Sequence, residues 1–230
     1  MKRFYKQAEA AACEGGHTVH LDGRPIRTPA KAPLVVPTPA LAGAIRDEWA
    51  AQGDKIDPDS MGFMTLAATT IDRVIPNHAA VAAEAAGYAG SDLLCYRAES
   101  PPELATRQAE AWDPVLEWAR DRYDVTFTVT AGLMPVDQPE ETRARFLTVA
   151  QGYDPFALTA VHVMTTACGS FLLALAIAEG RLSAEQGLDA SRIDETYQEE
   201  LWGLDDEAQA RKERLRREVG QAAEFLRKAG

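Results

Sequence analysis

Short apolar runs separated by glycine-containing turns fill the first forty residues of the chain. Runs at 6–12 and 17–21 flank Gly15-Gly16, and a Gly-Gly pair between two such runs is typical of a β-hairpin. Asp22-Gly23 predicts a second turn, and a third apolar run lies at 34–36. The prolines nearby confine strands to edges or ends. The pattern therefore predicts a small twisted β-unit.

Helical spacing of apolar residues replaces this pattern from Thr38-Pro39 onward. Leu41, Ile45 and Trp49 recur every four residues and so share one helix face. From Ser60 nearly every segment has a helical pattern. We therefore predict an α+β fold, in which a small N-terminal β-rich domain (residues 1–58) precedes a larger C-terminal all-helical bundle domain (residues 59–230).

Three local signals refine the helical region. Residues 125–130 are all β-branched or aromatic, so they predict one strand, a candidate to join the N-terminal β-unit. Pro114 predicts a split or a kink in the helix that contains it. Ser183 and Gln186 have the spacing of a capping box, and the helix that they open is predicted to run to Gly203.

Residues 155–178 form the most apolar segment, with no formally charged side chain. Its length would suit a membrane helix. The segment contains polar residues such as His162, its flanks are acidic, and no Lys/Arg-rich flank would orient it in a bilayer. We therefore interpret it as a central buried helix of the bundle and predict no membrane insertion.

Composition limits the class of protein further. Asp and Glu number 35 against 24 Lys and Arg, a net charge of −11. A general nucleic-acid binder needs the opposite sign, because phosphate neutralisation supplies most of its affinity. Three widely spaced cysteines predict buried or half-buried thiols in a reducing compartment. The N-terminus has no apolar run typical of a secretory signal, so we expect a cytoplasmic protein.

Common enzyme signatures are missing from the sequence. No GxGxxG, GxxxxGK[ST] or GxSxG motif occurs. His17 and His20 would point to opposite faces of a strand, so we predict no metal site there. His162 is interpreted as a core histidine. The alternative is an enzyme of unknown reaction with a pocket in the helical domain near His162.

The C-terminal helices have opposite charges. Residues 185–207 carry nine acids and one base, whereas residues 208–230 carry three acids and seven bases. One interpretation is a solvated face with i,i+4 ion pairs, such as Glu207 with Arg211. The other is a docking surface. Trp202, at the junction and beside a glycine and acidic residues, could be either a buried hinge or an interface anchor.

Several motifs in this order resemble one known family, the ATP-twelve family of assembly chaperones of the ATP synthase catalytic sector. The resemblance covers nearly the whole chain and is carried by Asp22-Gly23-Arg24-Pro25, Arg27-Thr28-Pro29, Leu34-Val35-Val36-Pro37, Leu41-Ala42, Glu48-Trp49, Gln52, Met64-Thr65-Leu66-Ala67, Thr70, Asp72, Arg192-Ile193-Asp194-Glu195, Tyr197-Gln198 and Trp202-Gly203.

The resemblance implies a chaperone that binds the free ATP synthase α subunit, shields its β-facing surface until assembly and does not hydrolyse ATP. It implies no enzymatic activity, no cofactor and a location in the bacterial cytoplasm or the mitochondrial matrix. We expect a monomer. The residues that the resemblance marks as partner-binding candidates are Glu195, Gln198, Trp202, Gly203 and one or more of Asp205, Asp206 and Glu207. Our hypothesis is that the acidic 185–207 region supplies polar rim contacts beside an apolar groove.

Overall fold

The predicted hairpin forms at the N-terminus. In the computed structural model, which describes residues 1–132, 134–203 and 205–230, β1 (Ala8–Cys13) pairs antiparallel with β2 (Gly16–Leu21). β2 pairs antiparallel with β3 (Arg24–Pro25), so the sheet order is β1-β2-β3. Residues 34–36 do not form a strand. They join the sheet at one bridge, where His17 and Val36 exchange two backbone hydrogen bonds of 2.9 and 2.8 Å.

Two turns of this unit depend on backbone conformations that favour glycine. Gly16 has φ +154°, and a Cβ at this position would lie 2.4 Å from the Val36 carbonyl oxygen. Asp22 and Gly23 have φ of 48° and 79°, which suits a tight hairpin turn. The Asp22 carboxylate accepts hydrogen bonds from the backbone N–H groups of Lys6 and Gln7, and these bonds lower the pKa of Asp22.

Helices make up most of the remaining chain, together with two short strands, and confirm the predicted α+β class. The helices are α1 (Pro39–Ala50), α2 (Gly62–Thr69), α3 (His78–Gly87), α4 (Pro102–Tyr123), α5 (Glu140–Gln151), α6 (Pro155–Cys168), α7 (Phe171–Ala178), α8 (Ala184–Ser191), α9 (Ile193–Trp202) and α10 (Asp206–Ala229). The short strands are β4 (Tyr96–Arg97) and β5 (Thr130–Ala131).

Of the residues predicted to form a strand over 125–130, only Thr130 lies in one, at the start of β5. β5 pairs in parallel with β4 and does not join the N-terminal sheet. The residues before β5 have their backbone groups satisfied by side chains instead. Gln138 accepts from Thr128 N–H and donates to Thr128 C=O, and Thr142 Oγ1 donates to Thr126 C=O. A strand partner is therefore not needed here.

The apolar segment 155–178 forms two helices rather than one. Gly169, with φ +64°, ends α6, and the Ser170 hydroxyl caps α7 by accepting from Leu173 N–H at 3.0 Å. Residues 171–176 are fully buried, which confirms the predicted place in the core. No helix within the described ranges is long and apolar enough to cross a membrane.

Two other helix predictions need correction. Pro114 does not split α4, which runs unbroken for 22 residues with Pro114 on its exposed side. The helix opened by the Ser183 capping box, which is confirmed, ends at Ser191 instead of continuing to Gly203. Arg192 interrupts it, because this residue leaves helical conformation and its side chain is buried.

A buried carboxylate links the start of α7 to the turn before β4. Asp92 is fully buried and accepts hydrogen bonds from Ser170 Oγ at 2.7 Å, Leu172 N–H at 3.1 Å and Leu94 N–H at 3.2 Å. Burial raises its pKa to about 6, although the hydrogen bonds act in the opposite direction. The cysteines agree with the sequence prediction, since Cys95 and Cys168 are buried and Cys13 is half-buried.

The chain divides into two compact units. One unit contains residues 1–78 together with 154–160 and 224–230. In this unit Phe156 stacks on Phe225, with ring centroids 6.1 Å apart, and Thr70 Oγ1 lies 2.8 Å from Thr159 Oγ1. The other unit contains residues 79–153 and 161–223. The boundary predicted after residue 58 stays a prediction.

Candidate partner-binding site

A groove of about 680 Å³ lies between α9 and the beginning of α10. Its lining includes five acidic and two basic side chains. The lining residues are Arg192, Asp194, Glu195, Gln198, Glu199, Trp202, Gly203, Asp205, Glu207, Ala208 and Arg211. Six of the seven residues that the sequence marked as candidates therefore lie together. The seventh, Asp206, is exposed at the start of α10 but does not line the groove.

Two of these candidates build the corner between the helices. Gly203 ends α9 with φ +85°, and its N–H donates to Glu199 C=O at 2.9 Å. Asp205 Oδ1 accepts from Ala208 N–H at 2.7 Å, the contact of an N-terminal helix cap. Gly203 and Asp205 thus shape the groove in addition to lining it.

A charge network supports one wall of the groove. Glu199 accepts from Arg192 Nη2 at 3.0 Å and from Lys212 Nζ at 3.1 Å. Burial alone would raise the pKa of Glu199, but Lys212 and Arg192 outweigh this effect, so the pKa is lowered. Arg192 Nε is buried and has no hydrogen-bond partner among the described residues. The Glu199 carboxylate therefore stays ionised and holds both cations.

Trp202 is the most exposed large apolar side chain of the described residues, with 83% of its surface accessible, and it forms part of the rim of the groove. Its neighbour Leu201 is 59% exposed. The hinge interpretation, which requires a buried indole, is therefore wrong. An exposed Trp-Leu pair next to acidic side chains suits an interface anchor, because indole rings are enriched at binding hot spots.

Sequence reasoning missed Glu199, Asp194 and Arg211 as groove residues. Asp194 is part of the Arg192–Glu195 motif named above, and its carboxylate accepts a hydrogen bond from Gln108 Nε2 at 2.8 Å. The i,i+4 pair of Glu207 with Arg211 does not form between described residues. Ion pairs instead cross between helices, as in Arg216, which approaches Glu185 at 3.4 Å and Asp189 at 3.6 Å. Opposite net charges of neighbouring segments were the signal that pointed to these contacts.

The His162 region offers less support for a site. His162 Nε2 lies 3.4 Å from Glu84 Oε1, a carboxylate supplied by α3, which sequence spacing could not have revealed. Five cavities of 520 to 840 Å³ in the described part of the chain have no contribution from His162 to their lining. The described residues also contain no group of three or more His, Cys, Asp or Glu placed to hold a metal ion.

Comparison with known proteins agrees with this arrangement. The family model of the ATP12 chaperone protein matches residues 2–120. The crystal structure of Atp12 from Paracoccus denitrificans is 40% identical, covers 100% of this chain and 98% of its own, and superposes with a TM-score of 0.96.

Two further relatives extend the comparison. The Atu1473 protein of Agrobacterium tumefaciens is 43% identical, with 99% of this chain and 85% of that chain covered and a TM-score of 0.93. Protein atp12, mitochondrial, of Schizosaccharomyces pombe is 24% identical over 96% of this chain and 81% of its own. Both the family model and the similarity over full-length solved structures lead to one conclusion: the chain belongs to the ATP12 chaperone family.

Proposed function

We propose that this protein is an assembly chaperone of the ATP synthase catalytic sector. It binds the free α subunit, covers the surface that α later presents to the β subunit, and leaves without hydrolysing ATP. Family membership supports the chaperone role, and the sequence motifs described above support the α subunit as the client. We place the protein in a bacterial cytoplasm, because the solved relatives named above come from bacteria.

The observation that carries the proposal is the exposure of Trp202 at the rim of an acidic groove. An unassembled subunit exposes an apolar interface that is prone to aggregation. Trp202 and Leu201 offer apolar area to such a surface, and the surrounding carboxylates offer charge complementarity to cationic side chains at its edge. Our hypothesis from the sequence placed polar contacts beside an apolar groove, whereas here the groove carries the charged side chains and Trp202, at its rim, and the neighbouring Leu201 offer the apolar area.

Release follows from competition. A chaperone that occupies the β-facing surface stabilises free α only until a partner with a more favourable contact arrives. The affinity of the chaperone must therefore be lower than that of β for the same surface. No nucleotide needs to be hydrolysed in this cycle.

Co-purification with separately expressed subunits tests the proposal. The α and β subunits of the same organism are each co-expressed with the tagged protein. We expect capture of α and not β, with more α remaining soluble. Capture of β alone, or of neither subunit when both are folded, would overturn the proposal.

A charge-reversal series then tests the site. Lysine substitutions at Glu195, Asp206 and Glu207 should weaken capture of α by about tenfold together, because each exposed charge contact contributes up to about 1 kcal/mol. Glu218→Lys is the matched control, since Glu218 is exposed on α10 and does not line the groove. If the triple variant and the control bind α equally well, the groove is not the client site.

A further inference from the structure

A second and larger cavity, of about 840 Å³, lies in the unit that contains the sheet. Its apolar wall is formed by Trp49 of α1, Ile56, Met61 and two residues of α2, Met64 and Ala68. A volume of this size is within the range of small-ligand pockets. The two methionines supply adaptable apolar surface, which suits binding of varied side chains.

The wall of this cavity is held in place by a dense set of hydrogen bonds. Glu48 caps α2, because its carboxylate oxygens accept from Phe63 N–H at 2.7 Å and Met64 N–H at 2.8 Å. Tyr5 donates its hydroxyl to Trp49 C=O at 2.7 Å, and the two rings meet edge to face. The site is thus preformed, which lowers the entropy cost of binding.

Trp49 itself carries an unused donor. Its indole Nε1–H is buried and has no acceptor among the described residues. A buried donor without an acceptor is energetically costly. Sequence periodicity placed Trp49 with Leu41 and Ile45 on the core face of α1. Those two residues are fully buried, whereas Trp49 is only half-buried and lines this cavity.

The charged side chains at this cavity leave a net positive character. Asp72 accepts from Thr28 Oγ1 at 2.6 Å and from Ala30 N–H at 3.1 Å, so its carboxylate holds the turn before residue 32. Arg73 is exposed and makes no side-chain hydrogen bond or ion pair with described residues. Arg27 is also exposed, and it donates to Lys31 C=O. Two cations therefore border the cavity in a protein of net charge −11.

The segment that presents Asp72 and Arg73 has an unusual backbone. Residues Thr70–Val74 form a single π-helical turn directly after α2. Such turns are rare and occur frequently at functional sites. Here the turn follows the cavity-lining helix and carries the unpaired Arg73.

We propose that this cavity is a second client-binding site, which takes the apolar side chains of an extended, acidic peptide segment of the client. This proposal rests on the proposed chaperone function. The apolar wall would bury the side chains, and Arg27 and Arg73 would attract the neighbouring carboxylates. The acidic groove at Trp202 would attract the opposite charge, so the two sites would recognise different segments of the client.

Fluorescence anisotropy with labelled hexapeptides tests this proposal. Each hexapeptide has a central Leu-Phe pair. The first probe has two Glu residues on each side of this pair, and the matched probe has two Lys residues on each side. We expect the Glu peptide to bind at least about tenfold more tightly than the Lys peptide, because two exposed charge contacts are exchanged for repulsion. Equal binding of the two peptides, or binding of decanoate without binding of either peptide, would overturn the proposal.

Variants of the rim and mouth locate the binding. Arg73→Glu should weaken binding of the Glu peptide about fivefold, whereas Arg217→Glu, an exposed cation on α10 outside this cavity, should not change it. Thr65→Trp should fill the exposed mouth and weaken binding about tenfold or more. Unchanged binding in both Arg73→Glu and Thr65→Trp, with melting temperatures near that of the parent, would contradict the assignment.

Capture of the α subunit separates this proposal from the proposed function. If α is not captured but the Glu peptide binds as expected, the client is wrong and the cavity assignment holds. If α is captured equally well by the parent, Arg73→Glu and Thr65→Trp, and the Glu peptide does not bind, the cavity assignment fails while the proposed function stands.

Discussion

Lys212 Nζ lies 3.1 Å from Glu199 Oε2, and this salt bridge ties α10 to α9. The other oxygen of the same carboxylate accepts from Arg192, the residue that separates α8 from α9. One acid therefore connects three helices around the groove. The wall beside Trp202 depends on that connection, so the stability of the site can be tested apart from its binding.

Glu199→Gln should lower the free energy of unfolding by about 1–3 kcal/mol. The substitution removes the countercharge of Arg192, whose side chain is only 9% exposed. Chemical denaturation at pH 7 measures the loss. Glu200→Gln is the matched control, because its pair with Arg107 is solvent-exposed and should contribute at most about 1 kcal/mol. Equal losses in the two variants would contradict a supporting role for Glu199.

The ion pairs of Glu199 should also make the free energy of unfolding depend on pH in the acidic range. The pKa of Glu199 is lowered in the folded protein from the ordinary value of 4.5. Its contribution is therefore complete above pH 4.5 and is lost as the pH falls through the folded-state pKa. Denaturation between pH 3 and pH 6 should show a shallower acid-side decline in Glu199→Gln than in the parent. A parallel decline would show that this carboxylate is not the titrating group.

Trp202→Ala should weaken α-subunit binding about 30-fold, which corresponds to about 2 kcal/mol for a hot-spot residue. The melting temperature should barely change, because the side chain is 83% exposed. Biolayer interferometry with immobilised α subunit measures the affinity. Met134→Ala, which removes a side chain of 76% exposure outside the groove, serves as control. Equal affinity in Trp202→Ala and the control would show that Trp202 is not part of the interface.

Asp92 should produce the opposite pH dependence. Its folded-state pKa is raised to about 6 by burial, so the folded state binds a proton more readily than the unfolded state. The contribution of Asp92 to stability should therefore decrease by about 2 kcal/mol as the pH rises from 4 to 6. The measurement is the difference in unfolding free energy between the parent and Asp92→Asn across this range. A constant difference would show that Asp92 does not titrate there.

Gly16→Ala should destabilise the N-terminal unit by about 3 kcal/mol. The added Cβ would lie 2.4 Å from the Val36 carbonyl oxygen, so the bridge between residues 17 and 36 would have to move. Gly23→Ala is the comparison, because its turn also has positive φ but has open space around it. That change should cost about 1–2 kcal/mol from backbone strain alone. Thermal denaturation of both variants shows whether the steric clash of the added Cβ or the strain of a positive φ causes more of the destabilisation.

Features that depend on neighbouring residues in the chain were predicted well from the sequence. The Gly15-Gly16 hairpin, the Asp22-Gly23 turn and the Ser183 capping box all form as expected. In each case a few adjacent residues supply both the required conformation and the hydrogen bond. Six of the seven candidates around Trp202 lie together in the structure, because they are close in the sequence, and their role in partner binding stays a prediction.

Features that depend on distant partners were not predictable in this way. Residues 125–129 have strong strand propensity, but side chains from Gln138 and Thr142 satisfy the backbone first. α8 ends where Arg192 leaves helical conformation and donates to Glu199, a contact that periodicity does not encode. The cavity at Trp49 was not predicted for the same reason, since all of its other lining residues lie outside α1.

The unit that contains the sheet closes with residues from the far end of the chain. Phe225 stacks on Phe156, Thr38 Oγ1 donates to Lys228 C=O, and Lys228 Nζ lies 5.8 Å from the centre of the Phe63 ring. The contacts of Lys228 with Thr38 and Phe63 join residues more than 150 positions apart, and such distant closures slow folding. On the ribosome, the first 78 residues would emerge long before residues 224–230 are made. The packing of Thr38, Phe63 and Phe156 against Phe225 and Lys228 therefore forms only after α10 has been synthesised, so the unit that begins the chain is completed late.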